Sequence, residues 1–349
     1  MSDIARRFPE NPLLMPKDLQ PSTSDLQIIS LLNPGVFVFE GKTWLLVRVA
    51  ECIAQKEGVI FFPIVNELGK MEIIEIPLND PELIATDPRV IQYKGLDYLT
   101  TISHLRLLSS DDGIHFSSEG LELLTGSGRL EQYGIEDARV SKLDDTYYIT
   151  YTAVSSSGVG VGLRTTKDWK NFESKGMIFP PHNKDCAIFE EIINGKFYAL
   201  HRPSSPQIGG NFIWLAESLD GIHWGNHQFL VGTRTGLWDS ARVGAGAAPI
   251  KTEKGWLEIY HGADAEHRYC LGAFLMDLEN PSIVLARTLD PIMVPTENYE
   301  LSGFFGFVVF TNGHIVNGDE LTIYYGAADE FVCGAKFSIT EILAALEYF

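Results

Sequence analysis

A turn followed by a short, aromatic-rich strand recurs six times along this chain of 349 residues. The copies begin at residues 41, 95, 144, 195, 254 and 319, so successive starts lie 49 to 65 residues apart. A period of roughly 40–60 residues built from short strands is typical of a β-propeller, in which each repeat forms one blade. A propeller gathers the innermost strands of its blades around one axial pocket. We therefore expect an all-β protein whose binding or catalytic site lies on that axis.

The number of hairpins leaves the number of blades open. A ring of sheets closes most easily when the first and last segments of the chain share a blade, so six hairpins are compatible with five blades or with six. Residues 1–30 contain four prolines and are predicted to form an extended strap. Residues 338–349 are predicted to form a short C-terminal helix with Thr340 as its N-cap. No change of composition divides the chain, which is predicted to be a single domain, 1–349.

The composition excludes several classes of partner. A net charge of −19 argues against nucleic acid and against anionic membrane surfaces, because both would repel the protein. The four cysteines are widely separated and show no zinc-binding spacing. The N-terminus lacks the apolar segment of a signal peptide, and no stretch is long and apolar enough to span a membrane. These features predict a cytoplasmic protein, in which an anion site would need a local basic cluster.

A short polar segment, called a polar phrase below, precedes the first strand of each repeat. In a propeller such phrases lie at matching heights around the axis, so that each blade directs one polar group at a common pocket. Each phrase alone is an ordinary turn, but six in register, mixing carboxylates with Lys and Arg, predict a site. The phrases are Asn33-Pro34-Gly35, Asp87-Pro88-Arg89, Glu136-Asp137-Ala138-Arg139, Asn183-Lys184-Asp185, the segment 239–246 and Thr311-Asn312-Gly313.

Five motifs spread from Asn33 to Asp329 resemble those of glycoside hydrolase family 130. They are Glu136-Asp137-Ala138-Arg139-Val140, the segment 183–189 (NKDCAIF), His201-Arg202-Pro203, Val243-Gly244-Ala245-Gly246 with Tyr260-His261-Gly262, and Tyr325-Gly326-Ala327-Ala328-Asp329. That family consists largely of inverting β-mannoside phosphorylases. The resemblance implies a five-bladed β-propeller, which the repeats alone leave undecided.

The resemblance also implies a reaction and the residues that perform it. An inverting glycosidase uses two carboxyl groups, an acid for the leaving oxygen and a base for water. A phosphorylase replaces water by phosphate, so it needs one acid and a basic pocket. Asp137 matches the proton donor of the family, which is thought to act through the 3-hydroxyl of the mannose. The residues that match the phosphate-binding set are Lys184, Arg202, Arg242 and Tyr269.

The pocket for the transferred mannose is matched by Asn33, Arg48, Asp87 and Asp329. Sugar hydroxyls call for such polar groups, and no metal or organic cofactor is expected, with inorganic phosphate as the co-substrate. Each residue also has an ordinary structural explanation: Asn33 and Asp87 are typical turn starters, and most Lys and Arg residues form surface ion pairs. The predicted partners are therefore small molecules, a β-mannoside and phosphate, and the resemblance leaves a homo-oligomer open.

The sequence favours phosphorolysis of β-1,2-linked mannobiose or short mannooligosaccharides to α-mannose 1-phosphate. Hydrolytic relatives carry carboxylates where this chain has Arg202 and Arg242. A β-1,2-mannosidase is the enzymatic alternative, and a non-catalytic carbohydrate-binding propeller is the alternative from another class. Glu190 departs from the Phe-Pro-Glu of many relatives, and a carboxylate there could alter the phosphate site.

Overall fold

The computed structural model describes residues 3–85, 87, 89–118, 123–204 and 208–349, and they form an all-β protein with two short α-helices. The strands of the first half are β1 (Arg6–Arg7), β2 (Leu26–Phe39), β3 (Lys42–Ile53), β4 (Val59–Val65), β5 (Met71–Pro77), β6 (Leu83–Ile84), β7 (Val90–Tyr93), β8 (Leu96–Leu99), β9 (Thr101–Ser110), β10 (Leu123–Leu124), β11 (Ile135–Leu143), β12 (Thr146–Ser155), β13 (Gly158–Thr166) and β14 (Glu173–Phe179).

The second half continues with the same alternation of short strands and turns. Its strands are β15 (Asn183–Ile188), β16 (Phe197–Pro203), β17 (Ile213–Ser218), β18 (Trp224–Val231), β19 (Arg242–Ala245), β20 (Ile250–Thr252), β21 (Gly255–Ala263), β22 (Tyr269–Met276), β23 (Val284–Thr288), β24 (Val309–Asn317), β25 (Glu320–Ala327), β26 (Phe331–Ser338) and β27 (Leu346–Tyr348). The helices are α1 (Asn298–Leu301) and α2 (Ile339–Ala344).

Most of these strands belong to five antiparallel sheets, counted among the described residues. Sheet A contains β2, β3, β9 and β10; sheet B contains β11 to β14; and sheet C contains β15 to β18. Sheet D contains β19 to β23 with β27, and sheet E contains β24, β25, β26 and the N-terminal β1. The prediction of an all-β fold is therefore confirmed, and the first and last sheets of the chain are joined as neighbours through the N-terminal segment.

Five apolar clusters fill the spaces between these sheets, and each cluster is shared by two of them. One cluster joins A to B through Leu46 and Ile149, and another joins B to C through Leu163 and Ala216. The remaining three join C to D, D to E, and E back to A. Fully burying a Leu or Ile side chain stabilises the folded state by about 1.5–3 kcal/mol. The sheets are thus held face to face by alternating strand residues in the order A, B, C, D, E, A.

Five of the six predicted hairpins lie in these main sheets, and the sixth does not. The hairpins at 41, 144, 195, 254 and 319 each connect neighbouring strands of one main sheet. The hairpin at Gly95 instead joins β7 to β8 in a small three-stranded sheet with β6. This small sheet and the β4–β5 hairpin pack around Phe62, Ile76 and Ile91, within an excursion of sheet A between β3 and β9. Because the Gly95 hairpin lies outside the main sheets, the six predicted hairpins give five main sheets.

The two ends of the chain differ in part from the sequence prediction. The strap is held by β1, which pairs with β26, and strand β2 already begins at Leu26, inside the predicted 1–30 segment. The C-terminal helix ends at Ala344, and residues 346–348 form a strand on β23 at the edge of sheet D. Its N-cap is Ser338, whose Oγ accepts from the backbone N–H of Glu341 at 3.1 Å, and not Thr340. Across the described residues, none of the helices has the length and apolarity needed to cross a membrane.

Candidate active site

A cavity of about 600 Å³ lies where the first strands of the five main sheets meet. Strands β2, β11, β15, β19 and β24 each contribute at least one residue to its wall. Eight of the nine sequence-predicted site residues line it; Asp87 does not. The lining consists of Leu32, Asn33, Arg48, Arg89, Asp137, Lys184, Asp185, Arg202, Arg242, His267, Tyr269, Phe305, Val308, Phe310 and Asp329.

Three of the inner strands carry a β-bulge at the residue that enters the cavity. The pairing register shifts at Asn33 in β2, at Asp137 in β11 and at Asp185 in β15. All three residues have positive φ, at 35°, 49° and 53° respectively. Asn and Asp tolerate this left-handed conformation better than other non-glycine residues. A bulge turns a side chain out of the normal alternation, and here it directs these polar groups to the axis.

Asp137 is a buried carboxylate held by one of its two oxygens. Its Oδ1 accepts from Asn33 Nδ2 at 3.1 Å and from Arg48 Nη1 at 3.2 Å. Burial alone would raise the pKa of Asp137, but the positive charges of Arg48 and Lys184, together with the Asn33 hydrogen bond, outweigh it and lower the pKa below its ordinary value. In the cavity without bound ligand, Asp137 is therefore an ionised carboxylate.

Asp329 lines the same cavity, but the pKa of its carboxyl group is raised where that of Asp137 is lowered. Burial raises the pKa of Asp329 to about 6, and the negative charges of Asp137 and Glu136 add to the rise while Arg48 opposes it. Asp329 and the preceding Ala328 have positive φ values of 51° and 48°, and both lie directly after β25. Two carboxyl groups whose pKa values are displaced in opposite directions within one cavity mark it as a site suited to proton transfer.

A basic cluster without carboxylate partners forms another part of the wall. Arg242 donates from Nη1 to the hydroxyl of Tyr269 at 3.0 Å, and its buried Nε has no hydrogen-bond partner within the described structure. Lys184 forms no ion pair with any carboxylate of the described residues. Cations that line a cavity with no described carboxylate within ion-pair distance, in a protein of net charge −19, favour an anionic ligand.

Arg202, the third cation, contacts Asp185 and His261, which the sequence analysis did not select as site residues, and Asp185 partly neutralises its charge. Its Nη1 lies 2.7 Å from Asp185 Oδ2 and 3.1 Å from His261 Nε2. Asp185 also contacts Arg139 at 3.2 Å. When the polar phrase of β15 is aligned in sequence with that of β11, Asp185 takes the same position as Asp137. This correspondence could have identified Asp185 as a site residue.

Asp87 lies outside the cavity wall. It is partly exposed and forms an ion pair of 3.1 Å with Arg89, two residues along the same excursion of sheet A. Arg89 is the residue of this segment that lines the cavity. A contribution of Asp87 to sugar binding therefore stays a prediction, and the geometry assigns the nearer position to Arg89.

Glu190 is separated from the basic cluster. Its Oε1 accepts from the backbone N–H of Lys142 at 2.7 Å. Together with Lys142 and His314 it lines a different cavity, of about 490 Å³, at the opposite ends of the inner strands. The departure at Glu190 thus leaves the wall of the candidate site unchanged.

The sequence analysis also missed the aromatic part of the wall. His267, Phe305 and Phe310 line the cavity on the side of sheets D and E. Phe305 lies in the loop after α1, where no local pattern marks its orientation. Within the described residues, no group of three or more His, Cys, Asp or Glu side chains is arranged to hold a metal ion.

Comparison with known proteins gives a consistent result. A family model described as beta-1,4-mannooligosaccharide phosphorylase matches residues 90–348. The chain is 46% identical over 347 residues to the beta-1,2-mannobiose phosphorylase of Listeria innocua, covering 98% of each chain. It is 38% identical over 244 residues to a 1,2-beta-oligomannan phosphorylase of a Thermoanaerobacter species, covering 69% of this chain and 80% of the relative.

The fold agrees with a solved structure over almost its whole length. The complex of the Listeria innocua beta-1,2-mannobiose phosphorylase with beta-1,2-mannobiose superposes with a TM-score of 0.92, at 45% identity and 98% coverage of both chains. The motifs, the cavity and the matched length therefore place this chain in glycoside hydrolase family 130.

Proposed function

We propose that the protein is an inverting phosphorylase of β-1,2-linked mannobiose or short mannooligosaccharides. A phosphate oxygen attacks the anomeric carbon as the glycosidic bond breaks, and the leaving oxygen takes up a proton. The products are α-mannose 1-phosphate and the shortened acceptor. The observation that carries this proposal is the cluster of Lys184 and Arg242, two cations without carboxylate partners in the cavity that contains Asp137. The phosphorylase names of the relatives support it.

The phosphate would be held by Lys184, Arg202, Arg242 and Tyr269. Guanidinium groups bind phosphate through paired N–H donors, and Lys adds a compact charge. The Tyr269 hydroxyl accepts from Arg242, so its own proton can be donated to a phosphate oxygen. The charges and hydrogen bonds of these four side chains would offset the repulsion between the bound phosphate and the nearby carboxylates.

Asp137 would donate the proton, and phosphate binding would prepare it to do so. In the empty cavity, Lys184 is one of the charges that lower the Asp137 pKa. A bound phosphate neutralises Lys184 and adds negative charge, so it raises the Asp137 pKa and favours the protonated acid. Oδ2 of Asp137 has no hydrogen-bond partner among the described residues, which leaves it for the 3-hydroxyl of mannose.

Asn33, Arg48 and Asp329 would bind the transferred mannose. Asn33 lines the cavity and donates from Nδ2 to Asp137 Oδ1 at 3.1 Å, so it fixes the carboxylate beside the bound sugar. Asp329, with its pKa near 6, can either donate or accept at neutral pH. Polar atoms that face the cavity are costly to leave without partners, and the hydroxyls of a bound sugar would supply those partners.

A β-1,2-mannosidase is the second candidate, because Asp137 and Asp329 could serve as the acid and base of an inverting hydrolase. The two functions differ in their products. β-1,2-Mannobiose incubated with phosphate should yield mannose 1-phosphate whose α-configuration is visible by NMR, and no reaction should occur without phosphate. Release of free mannose as the sole sugar product, at a rate independent of phosphate, would establish the hydrolase instead.

We further propose that sheets A to E are the blades of a five-bladed β-propeller. The cyclic order of the five apolar clusters and the meeting of the five first strands at one cavity support this architecture. The four unpaired cysteines are in keeping with a reducing, cytoplasmic location. A homo-oligomer stays a prediction.

A further inference from the structure

Asp185 places a negative charge in the wall of the cavity that is proposed to bind phosphate. Its side chain is 2% exposed and belongs to the cavity wall. Oδ1 contacts Arg139 at 3.2 Å, and Oδ2 contacts Arg202 at 2.7 Å. The pKa of Asp185 lies well below its ordinary value because the charges of Arg202 and Arg139 outweigh the effect of burial. The carboxylate is thus ionised and bridges two guanidinium groups.

Arg139 is a fixed anchor for this bridge. Its Nε donates to the carbonyl oxygen of Gly246 at 2.6 Å, and its Nη2 donates to that of Ala245 at 2.9 Å. Its Nη1 donates to the carbonyl oxygen of Asp137 at 3.1 Å. All three acceptors are backbone atoms, so Arg139 cannot shift without displacing β11 or the end of β19. Asp185 is therefore held from one side by a rigid group.

Gly244 in β19 packs closely against Asp185 and His261. A Cβ atom built on Gly244 would collide with the Asp185 carboxylate and with the ring of His261. His261 is fully buried, and its Nε2 lies 3.1 Å from Arg202 Nη1. Glycine at position 244 therefore allows β19 to approach the pair formed by Asp185 and His261.

We propose that Asp185 is a positioning residue that orients Arg202 for phosphate binding, an inference that rests on the proposed phosphorolysis. Asp185 Oδ2 forms an ion pair with Arg202 Nη1 at 2.7 Å, and the hydrogen bond from Nη1 goes to His261 Nε2 at 3.1 Å. Nε of Arg202 reaches Ser204 Oγ at 3.3 Å. No described residue accepts a hydrogen bond from Nη2, which is left for the phosphate. A preorganised Arg loses its side-chain freedom during folding and not during binding, so the ligand binds more tightly.

The positive charge of the site survives this pairing. Arg139 and Arg202 together carry one more charge than Asp185 neutralises, and Lys184 and Arg242 add two without carboxylate partners. The repulsion between Asp185 and phosphate is thus outweighed, while Arg202 avoids being buried without a counter-ion when the site is empty. Loss of the carboxylate should free Arg202 to leave its position.

The test is Asp185→Asn, which retains the shape and tolerates the positive φ. Phosphate binding is measured by calorimetry without sugar, and KM is measured separately for phosphate and for β-1,2-mannobiose. We expect phosphate affinity to fall by about tenfold or more and the phosphate KM to rise to match, with the mannobiose KM unchanged. In the synthetic direction, the KM for mannose 1-phosphate should rise as well.

Glu131→Gln is the matched control. Glu131 binds Arg164 at 3.1 Å and the Tyr151 hydroxyl at 2.6 Å, and none of the three lines the cavity. This variant should lose thermal stability without any change in phosphate KM. If Asp185→Asn loses stability in the same way and keeps wild-type phosphate affinity, Asp185 is a structural ion pair and the inference is wrong.

Gly244→Ala gives an independent test if Asp185→Asn does not fold. Its methyl group would collide with the Asp185 carboxylate and the His261 ring, which disturbs the position of Asp185 without removing its charge. The phosphate KM should therefore rise again while the mannobiose KM holds. An unchanged phosphate KM in this variant would overturn the positioning role. A wild-type protein that binds no phosphate would reject the proposed function itself, which separates that failure from a failure of the Asp185 inference alone.

Discussion

Asn33 and Asp137, 104 residues apart in the sequence, are joined by a 3.1 Å hydrogen bond from Asn33 Nδ2 to Asp137 Oδ1. Both residues sit at β-bulges of adjacent inner strands with positive φ. Arg48 Nη1 reaches the same oxygen at 3.2 Å. One carboxylate oxygen is thus occupied by donors from sheet A, so a transferable proton belongs on the other.

Asp137→Asn should abolish proton donation while keeping this network. The amide oxygen can accept from Asn33 and Arg48 as Oδ1 does, so the fold should be retained, and phosphate affinity should be retained or increased because a nearby negative charge is removed. Turnover should fall by about a hundredfold to ten-thousandfold. The measurement is kcat for phosphorolysis, with calorimetric phosphate binding as the check on the site. A variant with near wild-type turnover would show that another group is the acid.

Removing Arg242 or Arg202 should weaken phosphate binding far more than mannoside binding. Losing a buried cation that binds an anion typically costs roughly a hundredfold in affinity. Arg202→Glu should be worse than Arg202→Gln because it adds repulsion against the nucleophile. Rates are measured against phosphate concentration at saturating mannobiose. Arg164→Gln is the control, since Arg164 is part-buried and lies outside the cavity wall. Equal effects on both substrates would contradict the assignment.

Lys184→Met should change both the phosphate KM and the pH profile. The phosphate KM should rise because a cation is lost. Since Lys184 lowers the pKa of Asp137, its removal should raise that pKa, and the alkaline limb of the kcat profile should move to higher pH. A shift of the alkaline limb to lower pH, or a rise in KM with no shift, would contradict the coupling between Lys184 and Asp137.

Asp329→Asn should stabilise the folded protein in a pH-dependent way. Asp329 has an ordinary pKa of 3.8 in the unfolded chain and of about 6 in the folded protein. Between these values the unfolded chain ionises first, so rising pH favours unfolding. Above the folded pKa the effect reaches about 3 kcal/mol. The variant should therefore melt at a higher temperature than wild type at neutral pH, and this difference should shrink as the pH falls through both pKa values. A difference independent of pH would show that the Asp329 charge is not the cause.

The sequence predicted the all-β fold, and eight of the nine residues that it selected line the candidate cavity, because both depend on local patterns. Turn residues mark hairpins, and the polar phrases immediately precede the inner strands. The Gly95 hairpin shows the limit of local patterns. Lys94 and Gly95 have nearly the same positive φ values as the Glu40-Gly41 and Asn194-Gly195 turns of the main sheets, so local chemistry does not reveal which sheet a hairpin joins. Five main sheets arise because this hairpin lies in an excursion of sheet A.

Tertiary pairing also overrode a local pattern at the C-terminus. The apolar spacing of Ile342, Leu343 and Leu346 suggested a helix to the end of the chain, but residues 346–348 complete the edge of sheet D by pairing with β23. Asp185 was missed for a related reason. Alignment of β15 with β11 could have marked its position, but its proposed role depends on contacts with Arg139 and Arg202 from other strands, and these emerge only in the folded structure.

Phosphate labelled with ¹⁸O gives the most direct test of the central claim, that phosphate itself attacks the anomeric carbon. The protein is incubated with β-1,2-mannobiose and fully labelled phosphate in ordinary water, and the products are analysed by mass spectrometry. We predict mannose 1-phosphate that retains every labelled oxygen, including the one bonded to the sugar. Unlabelled free mannose as the sole product from the cleaved end, formed equally fast without phosphate, would contradict the account and show a hydrolase.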